Sequence, residues 1–208
     1  MLGASPALAE VAPLARLQWI DGRLARTAHR ARVWTWGWGI GIGVATVANL
    51  APLAFVAPDQ RIDWYVAAGT TVIGVVPLLI APLDVIGDSA ALRPRVAAAG
   101  RDSDLCPLLA DAERMLARDA QNQADGQRWW LHVANVVLNT GVGLFLGLGY
   151  HHWLAGAFNT VSGIAIGEAI IFTQPTSSVD DLASYRSGSL GGAPAGARPA
   201  GVMVGTTF

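Results

Sequence analysis

Residues 129–175 read WWLHVANVVLNTGVGLFLGLGYHHWLAGAFNTVSGIAIGEAIIFTQP. Between Arg128 and Pro175 the only carboxylate is Glu168, and no basic side chain other than histidine intervenes. Crossing the hydrocarbon of a bilayer takes roughly 20 mostly apolar residues, and this stretch holds two such runs. The first goes from Trp129 to Tyr150 and the second from Trp153 to Pro175, with His151-His152 as a short polar turn at an aromatic boundary. The stretch therefore reads as a transmembrane helical hairpin, which the rest of the chain prepares for, repeats or hangs from.

Composition agrees. The 208 residues are 52% hydrophobic and 14% charged, where an ordinary soluble domain carries about 25% charged residues. Mean hydropathy is +0.40. A net charge of −1 supplies no basic field for nucleic acid. All 14 basic residues are arginine, which reads as the codon bias of a GC-rich genome. Cys106 is the only cysteine, so neither an internal disulfide nor a cysteine–histidine metal set can be assembled. We read it as a small packing residue. Ala4 to Glu10 looks like the small-residue end of a signal peptide, but no apolar segment precedes it here, and we read the likeness as chance.

Upstream of the hairpin, Val33 to Pro58 carries no charge. Trp34, Trp36 and Trp38 crowd its start just after Arg32, as an aromatic belt beside a basic flank. Gly37/Gly41 and Gly39/Gly43 form small-xxx-small pairs that let another helix approach closely. Pro52 is expected to kink or fray the end of this helix. Trp64 to Leu83 is a second span, bounded by Asp63 and Asp84. Before the first span, Leu14, Leu17, Leu24 and Ala28 recur at helical spacing against Arg16, Arg23, Arg26 and Arg30. Such a helix lies on an anionic membrane surface or packs on the protein's own cytoplasmic loop.

Residues 89–127 form the one sizeable polar connection. Arg93-Pro94-Arg95 and Gly100 to Asp104 read as loop; Leu105, Leu108, Leu109, Ala112, Met115 and Leu116 then make a helical stripe. Its polar side carries Asp111, Glu113, Arg114, Arg118 and Asp119, and Asp102 or Ser103 is a candidate cap. Beyond Pro175 a short helix starting near Thr176 and ending near Tyr185-Arg186 is expected. From Ser187 on, Gly, Ala, Pro and Ser dominate, a composition that supports no packed core. Thr206 and Phe208 have the spacing of a strand-adding PDZ ligand, which we read as coincidence.

The expected fold class is all-α: a four-span transmembrane bundle of two hairpins, cytoplasmic amphipathic helices and a disordered C-terminal tail. The segments are 1–32 (surface helix), 33–88 (hairpin 1), 89–127 (cytoplasmic loop and helix), 128–175 (hairpin 2) and 176–208 (tail). Arginine sets the orientation, because cytoplasmic loops carry the positive charge. With the N-terminus inside, thirteen arginines are cytoplasmic and only Arg61 is outside. That places both termini in the cytoplasm and the chain in a bacterial cytoplasmic membrane.

An internal duplication is also suggested. Pro13-Leu14, Leu24-Ala25-Arg26, Arg32-Val33-Trp34, Trp64 and Thr71 to Gly74 find counterparts in Pro107-Leu108, Leu116-Ala117-Arg118, Arg128-Trp129-Trp130, Trp153 and Thr160 to Gly163. The order is kept at separations of 89 to 96 residues.

Glu168 is the residue on which chemistry would rest, since an ionisable group within a span is a functional-site hypothesis by default. His132, Asn135 and Asn139 lie at i, i+3 and i+7 on the opposing arm and are expected to face it. The group is read as a hydrogen-bonded cluster that holds hairpin register, or else as a proton or ion path. Gly143, Gly147, Gly163 and Gly167, like Gly37 and Gly41, are read as helix-packing positions. The two loop histidines face water, and His132 is alone at its depth, so neither a metal nor haem is expected. There is no phosphate loop, nucleophile elbow or His-Glu-x-x-His motif. The expectation is a non-enzymatic scaffold or accessory subunit of a membrane complex, without cofactor or metal. Its partners would be the bilayer and another membrane protein or a copy of itself, with no nucleic acid. The alternative is a small transporter or channel component with a polar path at Glu168, Asn135 and Asn139.

Overall fold

A computed structural model describes Leu8 and residues 11–80, 83–99 and 104–190. The described residues are helical and contain no strand. In chain order the helices are α1 (Pro13–Leu50), α2 (Arg61–Ile80), α3 (Val85–Ala98), α4 (Cys106–Asp125), α5 (Trp129–Tyr150), α6 (Trp153–Thr173) and α7 (Ser177–Ser187). Three helical stretches are long and apolar enough to cross a membrane, in α1, in α5 and in α6 with its continuation. Helices of that length and composition are of the kind found in membrane proteins. Expectations for Ala4 to Ala7, Ala9, Glu10, Pro82, Gly100 to Ser103 and the tail from residue 191, Thr206 and Phe208 included, lie outside the described residues.

The hydrophobic core does not lie among the apolar helices. Leu17, Ile20, Leu24, Ala28 and Ala31 of α1 pack with Val85 and Leu92 of α3, Leu109, Ala112, Leu116 and Ala120 of α4, and Leu182 and Tyr185 of α7. Leu17, Ile20 and Ala28 are each 0% exposed. Of the two placements open to the Arg-rich segment, the structure takes the second: its apolar side is covered by protein, not by lipid. That core is what a water-facing bundle needs, because only there does burying apolar surface remove it from water. In lipid the drive is absent, and few residues of the apolar helices are buried.

Two boundaries differ from expectation. The surface helix and first span are one continuous α1, since nothing between Arg32 and Val33 interrupts the backbone ladder. α1 ends at Leu50, and a 3-10 turn over Ala51–Ala54 takes Pro52, whose missing N–H cannot continue the ladder. Arg93-Pro94-Arg95, read as loop, is inside α3. Packing wins over the proline there: Leu92 is fully buried, Val96 lies against the core and Arg95 Nη2 donates to Asp111 at 2.6 Å. At the start of α4 it is Asp104 that accepts the Cys106 amide at 3.0 Å.

Along the apolar helices, α1 packs on α2 and α5 on α6. α5 closes with His151 in the left-handed conformation (φ 62°) and His152 N–H donating to Leu146 O at 3.1 Å. At the end of α6 away from that turn, Trp34 and Trp38 Nε1 both donate to Thr173 Oγ1, at 3.1 and 2.9 Å, which levels α6 with the tryptophan belt of α1.

Candidate functional site: a polar seam between α5 and α6

Hydrogen bonds join the polar residues of α5 to those of α6. His132 Nδ1 lies 2.5 Å from Glu168 Oε2. Asn135 Nδ2 donates to Glu168 Oε1 at 3.0 Å and to the Ile164 carbonyl at 3.1 Å. One turn on, Asn139 Nδ2 donates to the Asn135 carbonyl at 2.9 Å and to Asn135 Oδ1 at 2.8 Å. Thr160 Oγ1 then donates back to the Asn139 carbonyl at 3.1 Å. His132, Asn135 and Asn139 share a stripe because three- and four-residue steps return to one helix face. The two-residue turn runs α6 back antiparallel, so Glu168 meets the start of α5.

The glycines permit that approach. A Cβ on Gly163 would overlap the Asn139 amide, and one on Gly167 would overlap that of Asn135. At Gly156 it would stand 2.5 Å from the Gly143 carbonyl, and at Gly143 2.8 Å from the Gly156 carbonyl. Gly147 receives the Trp153 ring, 2.5 Å from where a Cβ would be. Thus Gly143, Gly147, Gly163 and Gly167 all lie on the α5–α6 contact. Among the described residues nothing lies within 4 Å of a Cβ placed on Gly37 or Gly41. Small-xxx-small spacing alone does not decide which face meets a neighbouring helix.

Two polar groupings escape a reading of the sequence. His152 Nδ1 lies 2.7 Å from Asp63 Oδ1, tying the start of α6 to the start of α2. This makes His152 an interhelical contact rather than a purely water-facing turn residue. Asp63 and His152 stand 89 residues apart, which is the separation between Thr71 and Thr160. Thr71 and Thr160 each bond to the preceding long helix, through Thr46 Oγ1 at 2.7 Å and through the Asn139 carbonyl. These parallels accompany the proposed duplication. A difference stands beside them: Arg32 is inside α1, whereas Arg128 lies in the break between α4 and α5.

The second grouping is in the bundle. Its charge assigns Asp119 to the polar side of α4, but it is 1% exposed. Leu109, Ala112, Leu116, Asp119 and Gln123 follow a three-and-four rhythm that puts it on the buried stripe, and that rhythm is the available signal. Arg118 Nη2 contacts both Asp88 oxygens at 2.5 Å, and the Asp88 charge also acts on Asp119. Burial first, and the Asp88 charge second, push the Asp119 carboxyl up to about 8. Neither Asp119 oxygen finds a hydrogen-bond partner, which favours the neutral, protonated carboxyl over a buried bare charge. Asp88 in turn raises the Arg118 guanidinium above its ordinary value.

α7 is held to the bundle by mixed contacts. Arg23 Nη1 pairs with Asp181 at 3.0 Å, Gln123 Oε1 accepts the Ser178 amide at 2.8 Å, and Thr27 and Ser177 hydroxyls meet at 2.9 Å. Tyr185 donates to Glu113 at 2.6 Å, and Arg16 reaches both Glu113 and Tyr185. Burial raises Asp181 against the opposing pull of Arg23 and Arg26. Among the described residues no group of three or more His, Cys, Asp or Glu side chains is placed to hold a metal ion.

Comparison with protein-family models, with curated proteins and with solved structures finds no match.

Proposed function

We propose that the chain is a four-span protein of a bacterial cytoplasmic membrane, with both termini in the cytoplasm, serving as a non-enzymatic accessory subunit or scaffold. α2, 20 residues long and packed on α1, is the fourth span in this reading. The observation that carries the functional reading is that the polar seam is internally satisfied. Each carboxylate oxygen of Glu168 has a partner within the α5–α6 pair, and no side-chain atom of His132, Asn135, Asn139 or Glu168 is among the buried unpartnered atoms. A seam of that kind fixes helix register without calling for a substrate. Meanwhile α1, α5 and α6 keep broad apolar faces uncovered by the chain itself, among them Val44, Val137 and Phe158. A cytoplasmic bundle joined rigidly to spans with free faces suits a subunit that holds other proteins.

A second reading has its own support. The bonds from His132 through Glu168, Asn135 and Asn139 to Thr160 form a continuous chain, and the Asp63–His152 pair stands at the other end of α6. Such a line suits a transporter or channel component that moves protons or ions.

One substitution separates the two. Wild type and Glu168→Gln are crosslinked and purified in mild detergent from native membranes, and proton flux is measured in proteoliposomes. The accessory-subunit reading expects the same co-purifying partner for both proteins and no flux. Flux in wild type that is lost in Glu168→Gln overturns it in favour of the transporter.

A further inference from the structure

Arginine pairing divides α1 into two faces. Arg16 and Arg23 point into the bundle and pair with Glu113 and Asp181. Elsewhere Arg95, Arg114, Arg118 and Arg128 each pair with an aspartate. Arg26 and Arg30 form no ion pair among the described residues, and both are exposed. Arg26 feels Asp181 only at longer range, behind Arg23, which already holds that carboxylate. His29 stands beside them, also exposed.

Because α1 is continuous, the height of these groups is set by the helix. At 1.5 Å per residue, Arg30 sits about 4.5 Å and Arg26 about 10 Å below Val33, where the uncharged run begins. That is the headgroup layer, and the tryptophan belt starts just above it. The same stripe continues upward through Val33, Gly37, Ile40 and Val44, at steps of three and four. Val33, Ile40 and Val44 are 60%, 61% and 64% exposed, and Gly37 has open space where a side chain would be. No carboxylate lies on the stripe from Arg26 to Val44. Two unpaired cations at headgroup height therefore stand directly beneath an uncovered apolar furrow.

The geometry points to a binding site for one anionic glycerophospholipid on this face of α1. Its phosphate and headgroup meet Arg26 and Arg30, and one acyl chain lies along Val33, Gly37, Ile40 and Val44. Charge complementarity selects this occupant: a second copy of the chain would bring the same unpaired arginines together, whereas an anionic lipid supplies the missing counter-charge. The inference rests on α1 crossing the bilayer and not on the accessory-subunit reading.

The test is native mass spectrometry of the full chain released from nanodiscs of equimolar phosphatidylglycerol and phosphatidylcholine. Wild type should retain phosphatidylglycerol preferentially. The Arg26→Gln/Arg30→Gln variant should lose on the order of 10- to 30-fold of that preference, the size expected for two juxtamembrane cations. Arg26→Lys/Arg30→Lys should keep it, and circular dichroism should be unchanged in both, since neither arginine supports the core. Gly37→Leu should weaken retention of both lipids alike by filling the furrow. Equal retention of the two lipids by wild type, or an undiminished preference in the Gln variant, overturns the site. So does efficient disulfide dimerisation of Ile40→Cys, made in a Cys106→Ser background, which would show a second copy on the stripe.

Discussion

Asp119→Asn removes an ionisable group from the packed side of α4 while keeping the shape of the side chain. The charges acting on Asp119 are Asp88 of α3, Asp84 just before it and Arg118 of its own helix. Its carboxyl is pushed from 3.8 up to about 8, so the folded chain keeps a proton that the unfolded chain releases. With the folded value raised, stability falls as pH rises from about 4 through about 8 and then levels off. Each pH unit within that window costs about 1.4 kcal/mol, so wild type should lose about 3 kcal/mol between pH 6 and pH 9 through this residue. Asparagine does not titrate and keeps the size and neutrality of the protonated Asp119 side chain. The variant should match wild type within about 1 kcal/mol at pH 6 and exceed it by about 2–3 kcal/mol at pH 9. Thermal unfolding in detergent, followed by far-ultraviolet circular dichroism, measures this. For a chain of this size the difference at pH 9 corresponds to about 5–10 °C in Tm. Equal pH slopes for the two proteins would refute the argument, since they would mean that Asp119 is already charged at neutral pH or is reached by water.

Two further outcomes follow from the packing. Gly156→Ala should destabilise the α5–α6 pair by about 1–3 kcal/mol, because the added methyl meets the Gly143 carbonyl, which cannot swing aside; Gly22→Ala, in open space, serves as the control, and unfolding in mixed micelles compares them. Arg23→Ala strands the Asp181 carboxylate, whose side chain is 6% exposed, at a cost of about 3 kcal/mol; faster amide hydrogen exchange confined mainly to α7 is the expected readout, and unchanged exchange there would sink the idea.

Much of this architecture is legible in the chain itself. Runs such as Trp129 to Tyr150 announce their solvent by composition alone, because a bilayer tolerates only apolar stretches of sufficient length. The stripe His132, Asn135 and Asn139, and the antiparallel placement of Glu168 opposite it, follow from helical spacing and a two-residue turn.

What only the tertiary structure decided is which faces meet. Gly37 and Gly143 look alike in sequence, yet the first faces open space and the second meets Gly156 and Thr160, because packing partners are non-local. Asp119 shares the spacing of the apolar stripe of α4, but only the closing of α1, α3 and α7 around that side shows that its charge is buried. Arg93-Pro94-Arg95 is helical because Leu92 and Val96 are anchored in that same core, an energy no local propensity contains. The continuity of α1 across the membrane boundary belongs to this second class as well. Local sequence permits a break at Arg32 or its absence; burial of Ala28 and Ala31 in the bundle, with Trp34 and Trp38 bound to Thr173, anchors the helix on both sides of that point.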